Sequence, residues 1–331
     1  MTTNYQDIVN ARRLIDGPRN DLMMVSPLKH PWAKEYYDQM CANTWFPAEV
    51  DLSKEKQGYA ELTEAERNMY DKALAFLSNL DGIQFNNLSG NISPVVTSPE
   101  VCMGLSRQSF EEVNHVNSYA TLIETVSLNP MDVYMTFERD GILSAKNEYI
   151  MRQSRILKEE YSAPNFARAV VANIILEGLY FYSGFLSFHV LARRGKMLGS
   201  DNMIKFIQKD EVCHLHFFAA IFKALKQERP ELFDDQFYKD ATELFKTAAE
   251  LETKWGQYII KGGVLGLTDQ IVADYIKVRA NTCAGLIGME PIYPGVKHPC
   301  EWVEDFAKIN GRETNFFEDK VSSYQVGALE W

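Results

Sequence analysis

The sequence lacks the signals of nucleotide-binding, disulfide-bonded and nucleic-acid-binding proteins. It has no G-x-G-x-x-G loop and no Walker motif, so no phosphate loop is expected, and it shows no Ser-His-Asp or nucleophilic-cysteine signature. Its five cysteines form an odd set without a repeated short spacing, which predicts reduced thiols rather than disulfides or a zinc site. Lys and Arg number 34 against 45 Asp and Glu, and this net charge of −11 disfavours nucleic acid as a partner.

Strand signals and targeting segments are also scarce. Few short alternating runs occur, and the first twenty residues are polar without an apolar signal core, so we expect a cytoplasmic protein. The apolar stretch 169–192 is long enough to span a membrane. However, Glu177 lies near its middle, where an ionised acid is costly in lipid. We therefore expect a buried helix and no membrane contact.

Helical signals occupy most of the 331 residues. Capping sequences such as Thr63-Glu-Ala-Glu and Ser98-Pro-Glu predict helix starts followed by apolar periodicity. Short joints between helices predict one all-α domain over residues 1–309, whereas 310–331 have no helical period and predict a mobile tail with an apolar end suited to a partner's groove. The predicted helices are 63–89, 98–126, 129–161, 163–177, 200–229, 234–260 and 268–287.

Two Glu-x-x-His tetrads, about 100 residues apart, carry the most information about chemistry. Glu112 and His115 lie one turn apart on an apolar helical face, and Glu211 and His214 do the same. Such tetrads also arise by chance, but inward-facing charges need a partner. Two facing helices of this kind, with one acid from each of two others, form the dimetal-carboxylate site of ferritin-like bundles.

Two further acids fit that arrangement. Asp81 and Glu177 each lie within an apolar stripe that offers no basic residue three or four positions away. With both glutamates of the tetrads they total −4, which two divalent cations balance, and the two neutral imidazoles complete the ligand set. Oxygen and imidazole ligands without thiolate favour iron or manganese over zinc. Cys213 and His216 project off the ligand face and are interpreted as structural.

Tyr119 follows His115 by one helical turn on the same face. It is either an ordinary core tyrosine or a phenol that a high-valent metal pair oxidises to a radical in a dry pocket. Phe181 and Ile207 would provide apolar shielding in the second case. The residues alone leave both interpretations open.

Several segments together resemble the small, radical-generating subunit of class I ribonucleotide reductase. The resemblance extends along nearly the whole chain and depends on the combination rather than on any one motif. The segments are NTWFP (43–47), LDGIQ (80–84), RQSFEEVNHVNSY (107–119), EGLYFYSGF (177–185), DEVCH (210–214), NFFE (315–318) and the YQ pair at 324–325.

The resemblance implies a ferritin-like helical homodimer in which oxygen or a reduced oxygen species oxidises a dinuclear metal centre in each protomer. Tyr119 matches the radical tyrosine, and Trp45 and Asp210 match residues that link the metals to the surface. Tyr324 matches the tail tyrosine that relays the oxidising equivalent to the large subunit, which reduces ribonucleotides to deoxyribonucleotides. The implied ligands are Asp81, Glu112, His115, Glu177, Glu211 and His214.

Some features resemble the chlamydial-type subgroup, notably 177–185 and the short tail ending in Trp331. That subgroup has phenylalanine in place of the radical tyrosine and stores the oxidant on a manganese–iron pair. This chain keeps Tyr119 and has Asp81 where the subgroup tends to have glutamate. We expect di-iron with a tyrosyl radical; manganese–iron or dimanganese with an inert Tyr119 is the alternative, and a flavoprotein activase is a further candidate partner.

Two other functions fit the same scaffold. A dimetal oxidase or monooxygenase acting on a bound organic ligand would need an apolar cavity at the metals and would not use Tyr324. An iron-storage bundle is typically about half this length and has no relay-like tail.

Overall fold

The computed structural model describes residues 5–18, 23–126 and 129–306, which form helices without any β-strand in these ranges. The predicted all-α fold is therefore confirmed, and the predicted tail 310–331 lies outside the described residues. The helices are α1 Tyr5–Ala11, α2 Pro31–Ala42, α3 Glu55–Ala60, α4 Glu64–Asn87, α5 Pro99–Val126, α6 Pro130–Tyr134, α7 Thr136–Arg139, α8 Gly141–Glu159, α9 Ala163–Ile175, α10 Tyr182–Ala192, α11 Leu198–Glu228, α12 Asp235–Ile259, α13 Asp269–Leu286 and α14 Trp302–Phe306.

Side-chain caps determine where several helices begin. The Thr63 hydroxyl accepts from the Glu66 backbone N–H at 3.3 Å, and the Glu66 carboxylate accepts from the Thr63 N–H at 2.9 Å, so α4 starts with the predicted capping box. The single helix predicted for 129–161 is wrong, because that segment contains α6, α7 and α8. Asp140 caps α8 by accepting from the N–H groups of Ile142 and Leu143, which makes a new helix start in mid-segment.

The four segments that carry the predicted ligands pack against one another. α4 contacts α5 and α10, and α11 contacts α5, α9 and α10. A π-helical turn, Leu176–Tyr180, joins α9 to α10, and a second, Leu88–Ile92, follows α4. The continuous helical stretch Ala163–Ala192 is long and apolar enough to cross a membrane, but 94% of its most apolar window is buried within the protein. It is therefore the central core helix, as expected from the sequence.

His30 ties together the beginning of α2, the beginning of α5 and the end of α11. Its Nδ1 lies 2.9 Å from the Ser98 hydroxyl and its Nε2 lies 3.0 Å from the Glu228 carboxylate, while Arg12 donates to Glu100 at 3.1 Å beside it. Burial lowers the pKa of His30, but hydrogen bonds and charge from Glu100 and Glu228 outweigh it and hold the pKa above 6.5. The imidazolium is thus favoured in the folded protein.

This cluster predicts a pH-dependent contribution to stability. Because the folded pKa of His30 is raised, its contribution is complete below the unfolded pKa and is lost as the pH rises through the folded one. Replacing His30 with glutamine should lower the unfolding free energy by about 1–3 kcal/mol near pH 6, and by less near pH 9. Urea unfolding of the two metal-free proteins at both pH values measures this. A difference that grows with pH would contradict the assignment.

Candidate metal centre

The structure brings the six predicted ligand residues into two overlapping groups. Asp81, from α4, and His115, from α5, belong to the first group, whereas Glu177 and His214 belong to the second. Two residues, Glu112 of α5 and Glu211 of α11, are shared. Within each group the candidate ligand atoms lie within 4.8 Å of one another. The two groups would each hold one cation, and Glu112 and Glu211 would be available to both.

In both histidines, Nδ1 points toward the carboxylates of the candidate ligands and Nε2 points away from these ligands. His115 Nδ1 lies 3.0 Å from Glu211 Oε1 and 3.9 Å from oxygens of Asp81 and Glu112. His214 Nδ1 lies 2.9 Å from Glu211 Oε2 and 3.4 Å from Glu112 Oε1. The Nδ1 atoms are therefore the candidate metal ligands, and each Nε2 is available for an outer partner.

Buried amides orient two of the carboxylates. Gln108 Nε2 donates to Glu177 Oε1 at 2.7 Å and to Glu112 Oε1 at 3.2 Å, and Gln84 also donates to Glu177 Oε1. Asn173 accepts from Gln84 at 3.0 Å. These amides hold one oxygen of each glutamate and leave the other facing the candidate site. Sequence reasoning assigned no role to them, although Gln84 and Gln108 share the helical stripes of Asp81 and Glu112.

The local backbone helps to position Glu177. This residue lies in the π-helical turn Leu176–Tyr180, where the helix accommodates an extra residue. A Cβ at the next position, Gly178, would collide with Cys283 Sγ of α13 and with Leu215 of α11. Glycine at this position therefore allows both helices to pack closely against the π turn. The sequence stripe correctly placed Glu177 in the core, but it gave no sign of the π turn.

The donor set fits a pair of divalent cations. Six buried atoms of the candidate ligands have no hydrogen-bond partner among the described residues. They are both oxygens of Asp81, Oε2 of Glu112, Oε2 of Glu177, Oε1 of Glu211 and Nδ1 of His115. The 3.0 Å approach of that Nδ1 to Glu211 is not aligned for a hydrogen bond. Buried polar atoms normally have partners, so these converging atoms fit the role of ligands to cations.

The charges of the carboxylates lead to the same conclusion. Burial, and then the negative charge of Glu211, raise the pKa of Asp81 and Glu177 well above the usual range and that of Glu112 to about 8. Burial also opposes ionisation of Glu211, but the flanking imidazoles outweigh it and lower its pKa. Four ionised carboxylates are therefore unfavourable here unless cations supply compensating charge.

Tyr119 lies in the dry interior next to this group. Its side chain is fully buried and its hydroxyl has no hydrogen-bond partner within the described residues. Burial, followed by the negative charges of Asp81 and Glu211, raises the pKa of this phenol well above 10. Phe181 and Ile207, the residues predicted to shield it, are also fully buried.

A hydrogen-bonded chain leads from His115 to a tryptophan near the surface. His115 Nε2 lies 3.1 Å from Asp210 Oδ2, and the Trp45 indole donates to that same oxygen at 2.7 Å. Asn114 donates to the Trp45 carbonyl at 3.0 Å and fixes the backbone there. The next residue, Phe46, is half exposed. The structure thus brings Trp45 and Asp210 together beside His115, whereas Tyr324 lies outside the described residues.

Two cavities in the described part of the chain are separate from this centre. One, of about 20 Å³, lies between α8 and α9, and the other, a groove of about 760 Å³, lies between the end of α4 and α8. None of the six candidate ligands lines either cavity. Neither is therefore placed to hold an organic ligand in contact with them.

Comparison with known proteins identifies the family. Residues 22–299 match the ribonucleotide reductase small chain family. Ribonucleoside-diphosphate reductase subunit beta of Treponema pallidum (strain Nichols) is 34% identical across 96% of this chain and 91% of that protein, and that of Chlamydia pneumoniae is 31% identical across 98% and 96%. The ribonucleotide reductase R2 subunit from Clostridium botulinum has a TM-score of 0.87 at 36% identity, covering 93% of this chain and 98% of its own. At these identities and coverages the chain belongs to the ribonucleotide reductase small-chain family, as the small subunit of an oxidoreductase that pairs with a large subunit.

Proposed function

We propose that this chain generates and stores the oxidising equivalent of a ribonucleoside-diphosphate reductase at a dinuclear metal centre. The observation that carries the proposal is the pair of overlapping ligand groups, each with one inward Nδ1 and both sharing Glu112 and Glu211. When bound, two iron or manganese ions would supply oxidation driven by oxygen or a reduced oxygen species. The residues proposed to hold them are Asp81, Glu112, His115, Glu177, Glu211 and His214.

Di-iron is the proposed metal content. The ligands are carboxylate oxygens and imidazole nitrogens without a thiolate, a set that suits iron and manganese alike. Manganese–iron and dimanganese therefore remain the alternatives. A flavoprotein activase is proposed as a partner for the case in which a reduced oxygen species is the oxidant.

Tyr119 is the proposed store of the oxidising equivalent. Its phenol is fully buried, has no hydrogen-bond partner among the described residues and lies within the electrostatic influence of Asp81 and Glu211. Burial keeps solvent reductants away from the ring. The absence of a competing hydrogen bond leaves the phenol free to exchange its proton with the centre.

Asp210 and Trp45 are the proposed route from the centre to the large subunit. Asp210 Oδ2 accepts from the Trp45 indole at 2.7 Å and lies 3.1 Å from His115 Nε2, so one oxygen joins the ring of the ligand to the ring near the surface. Tyr324, in the tail 310–331, is the proposed next carrier, and the tail would dock in the large subunit. We propose that the active small subunit is a cytoplasmic homodimer without membrane or nucleic-acid contacts.

The relay predicts a separation between metal chemistry and turnover. Replacing Tyr324 or Trp45 with phenylalanine should reduce ribonucleotide reduction with the large subunit by at least about a hundredfold, because the relay loses an oxidisable ring. Metal content and the amount of metal oxidised by oxygen should match wild type. Tyr161→Phe, which changes an exposed tyrosine elsewhere, is the matched control. Normal turnover of the Tyr324 variant would remove this residue from the relay.

An oxidase acting on an organic ligand is not favoured. Such an enzyme needs a cavity that touches the metals, and the two cavities described above do not include the candidate ligands. The family match points to the reductase instead.

A further inference from the structure

Glu111 and Arg107 form an outer support for His214 that mirrors the support of His115 by Asp210 and Trp45. His214 Nε2 lies 2.8 Å from Glu111 Oε2, and Arg107 Nη2 donates to Glu111 Oε1 at 3.0 Å. The Glu111 side chain is 3% exposed and that of Arg107 is 13% exposed. Each imidazole of the centre therefore has its own carboxylate on the side away from the ligands.

The two supports end differently. The Asp210 carboxylate is bound by an indole, whereas the Glu111 carboxylate is bound by a guanidinium. Arg107 also donates to the Met40 carbonyl at 3.2 Å and to the Thr44 hydroxyl at 2.9 Å. These contacts anchor the guanidinium to the end of α2, so the charge that faces Glu111 is fixed in place.

The contact determines which nitrogen of His214 is available to a metal. A carboxylate paired with arginine accepts hydrogen bonds, so it places the imidazole proton on Nε2. Nδ1 points toward Glu112 and Glu211, at 3.4 and 2.9 Å, and would offer its lone pair to a bound cation in place of its hydrogen bond to Glu211. Outer carboxylates of this kind fix the tautomer and ring orientation of a ligand and raise its basicity.

We infer that Glu111, anchored by Arg107, is a positioning residue that sets the metal affinity of the His214 half of the centre independently of the His115 half. This inference rests on the proposed dimetal function and extends it to a residue that does not itself face the ligand groups. The Glu112 carboxylate next to it in sequence is shared by both halves, whereas Glu111 contacts only one imidazole. Glu112 is thus a candidate ligand, whereas Glu111 orients a candidate ligand.

Titration of the metal-free full-length protein with Mn(II), with the free ion followed by electron paramagnetic resonance, tests the inference without an activity assay. Glu111→Ala should weaken one of two bound Mn(II) ions by about 10- to 100-fold and change the other by less than about threefold. Glu111→Gln retains an oxygen acceptor at the same reach and should recover part of the loss. Asp210→Asn alters the support of His115. It should not change the affinity for the Mn(II) ion that Glu111→Ala weakens.

The site affected can be assigned with two single-group variants. In an Asp81→Ala background only the His214 group is complete, and adding Glu111→Ala should weaken the remaining ion by the same factor. In a Glu177→Ala background only the His115 group is complete, and adding Glu111→Ala should have no effect. Equal weakening of both ions, or wild-type binding of both, would overturn the inference. If wild-type protein failed to bind two Mn(II) or Fe(II) ions, the proposed dimetal function itself would fail.

Discussion

Tyr119→Phe should abolish the tyrosyl radical signal after reconstitution with ferrous iron and oxygen. Ribonucleotide reduction with the large subunit should fall by at least about a hundredfold, which corresponds to about 2.7 kcal/mol of activation free energy. The physical reason is that phenylalanine keeps the packing of this fully buried ring but has no phenolic O–H to oxidise. Two metal ions should remain bound, because the phenol is not among the grouped ligands. Electron paramagnetic resonance and metal analysis of the same sample measure both effects.

Tyr275→Phe is the matched control for this experiment. Tyr275, like Tyr119, is fully buried and its hydroxyl has no hydrogen-bond partner in the described part of the chain, but it lies on α13 beside His298 rather than beside the carboxylates. Loss of its hydroxyl should leave the radical signal and turnover unchanged. If Tyr119→Phe also retained turnover, the oxidising equivalent would be stored on the metal pair, as in the chlamydial-type alternative.

Glu211→Ala should remove both metal ions, whereas Glu177→Ala should remove one. The reason is that Glu211 belongs to both ligand groups, and its two oxygens lie 3.0 Å from His115 Nδ1 and 2.9 Å from His214 Nδ1. Glu177 belongs to the His214 group alone. Metal analysis after loading with Fe(II) and gel filtration should give two ions per wild-type chain, about one for Glu177→Ala and close to none for Glu211→Ala.

Asp210→Asn is the control for this pair of variants. Asp210 is a buried acid next to Glu211 in sequence, but it faces the outer nitrogen of His115 and belongs to neither group. Asparagine at this position retains an oxygen for the imidazole, so both ions should stay bound. Retention of both ions by Glu211→Ala would show that its carboxylate does not connect the two positions.

The sequence predicted the fold and the six candidate ligands because both depend on local periodicity. Glu112 and His115 share a face through the helical repeat, and the surroundings of Asp81 and Glu177 on apolar stripes showed that they are buried. Confirmation of the helix start at Thr63 reflects a cap that acts within four residues.

The features that were missed depend on contacts between helices or on competition between local caps. Gln84 reaches Glu177 only because α4 and the π turn after α9 pack side by side. Likewise, the sequence alone gives Glu111 no feature that distinguishes it from a surface acid. Its role depends on the packing of α11, which places His214 next to it. The helix break at Asp140 was missed because this residue caps a new helix instead of continuing the preceding one. A 2.8 Å contact between its carboxylate and Lys72 of α4 stabilises this arrangement.

The most direct test of the central claim is a crystal structure of the full chain loaded with iron and manganese, with diffraction data collected at both absorption edges. The account predicts two anomalous peaks per chain, one beside Asp81 and His115 and the other beside Glu177 and His214, with carboxylates of Glu112 and Glu211 contacting both. The heights at the two edges identify the metal at each position. A crystal grown with excess metal that showed no peak at this centre, or ligand side chains turned away from one another, would contradict the account.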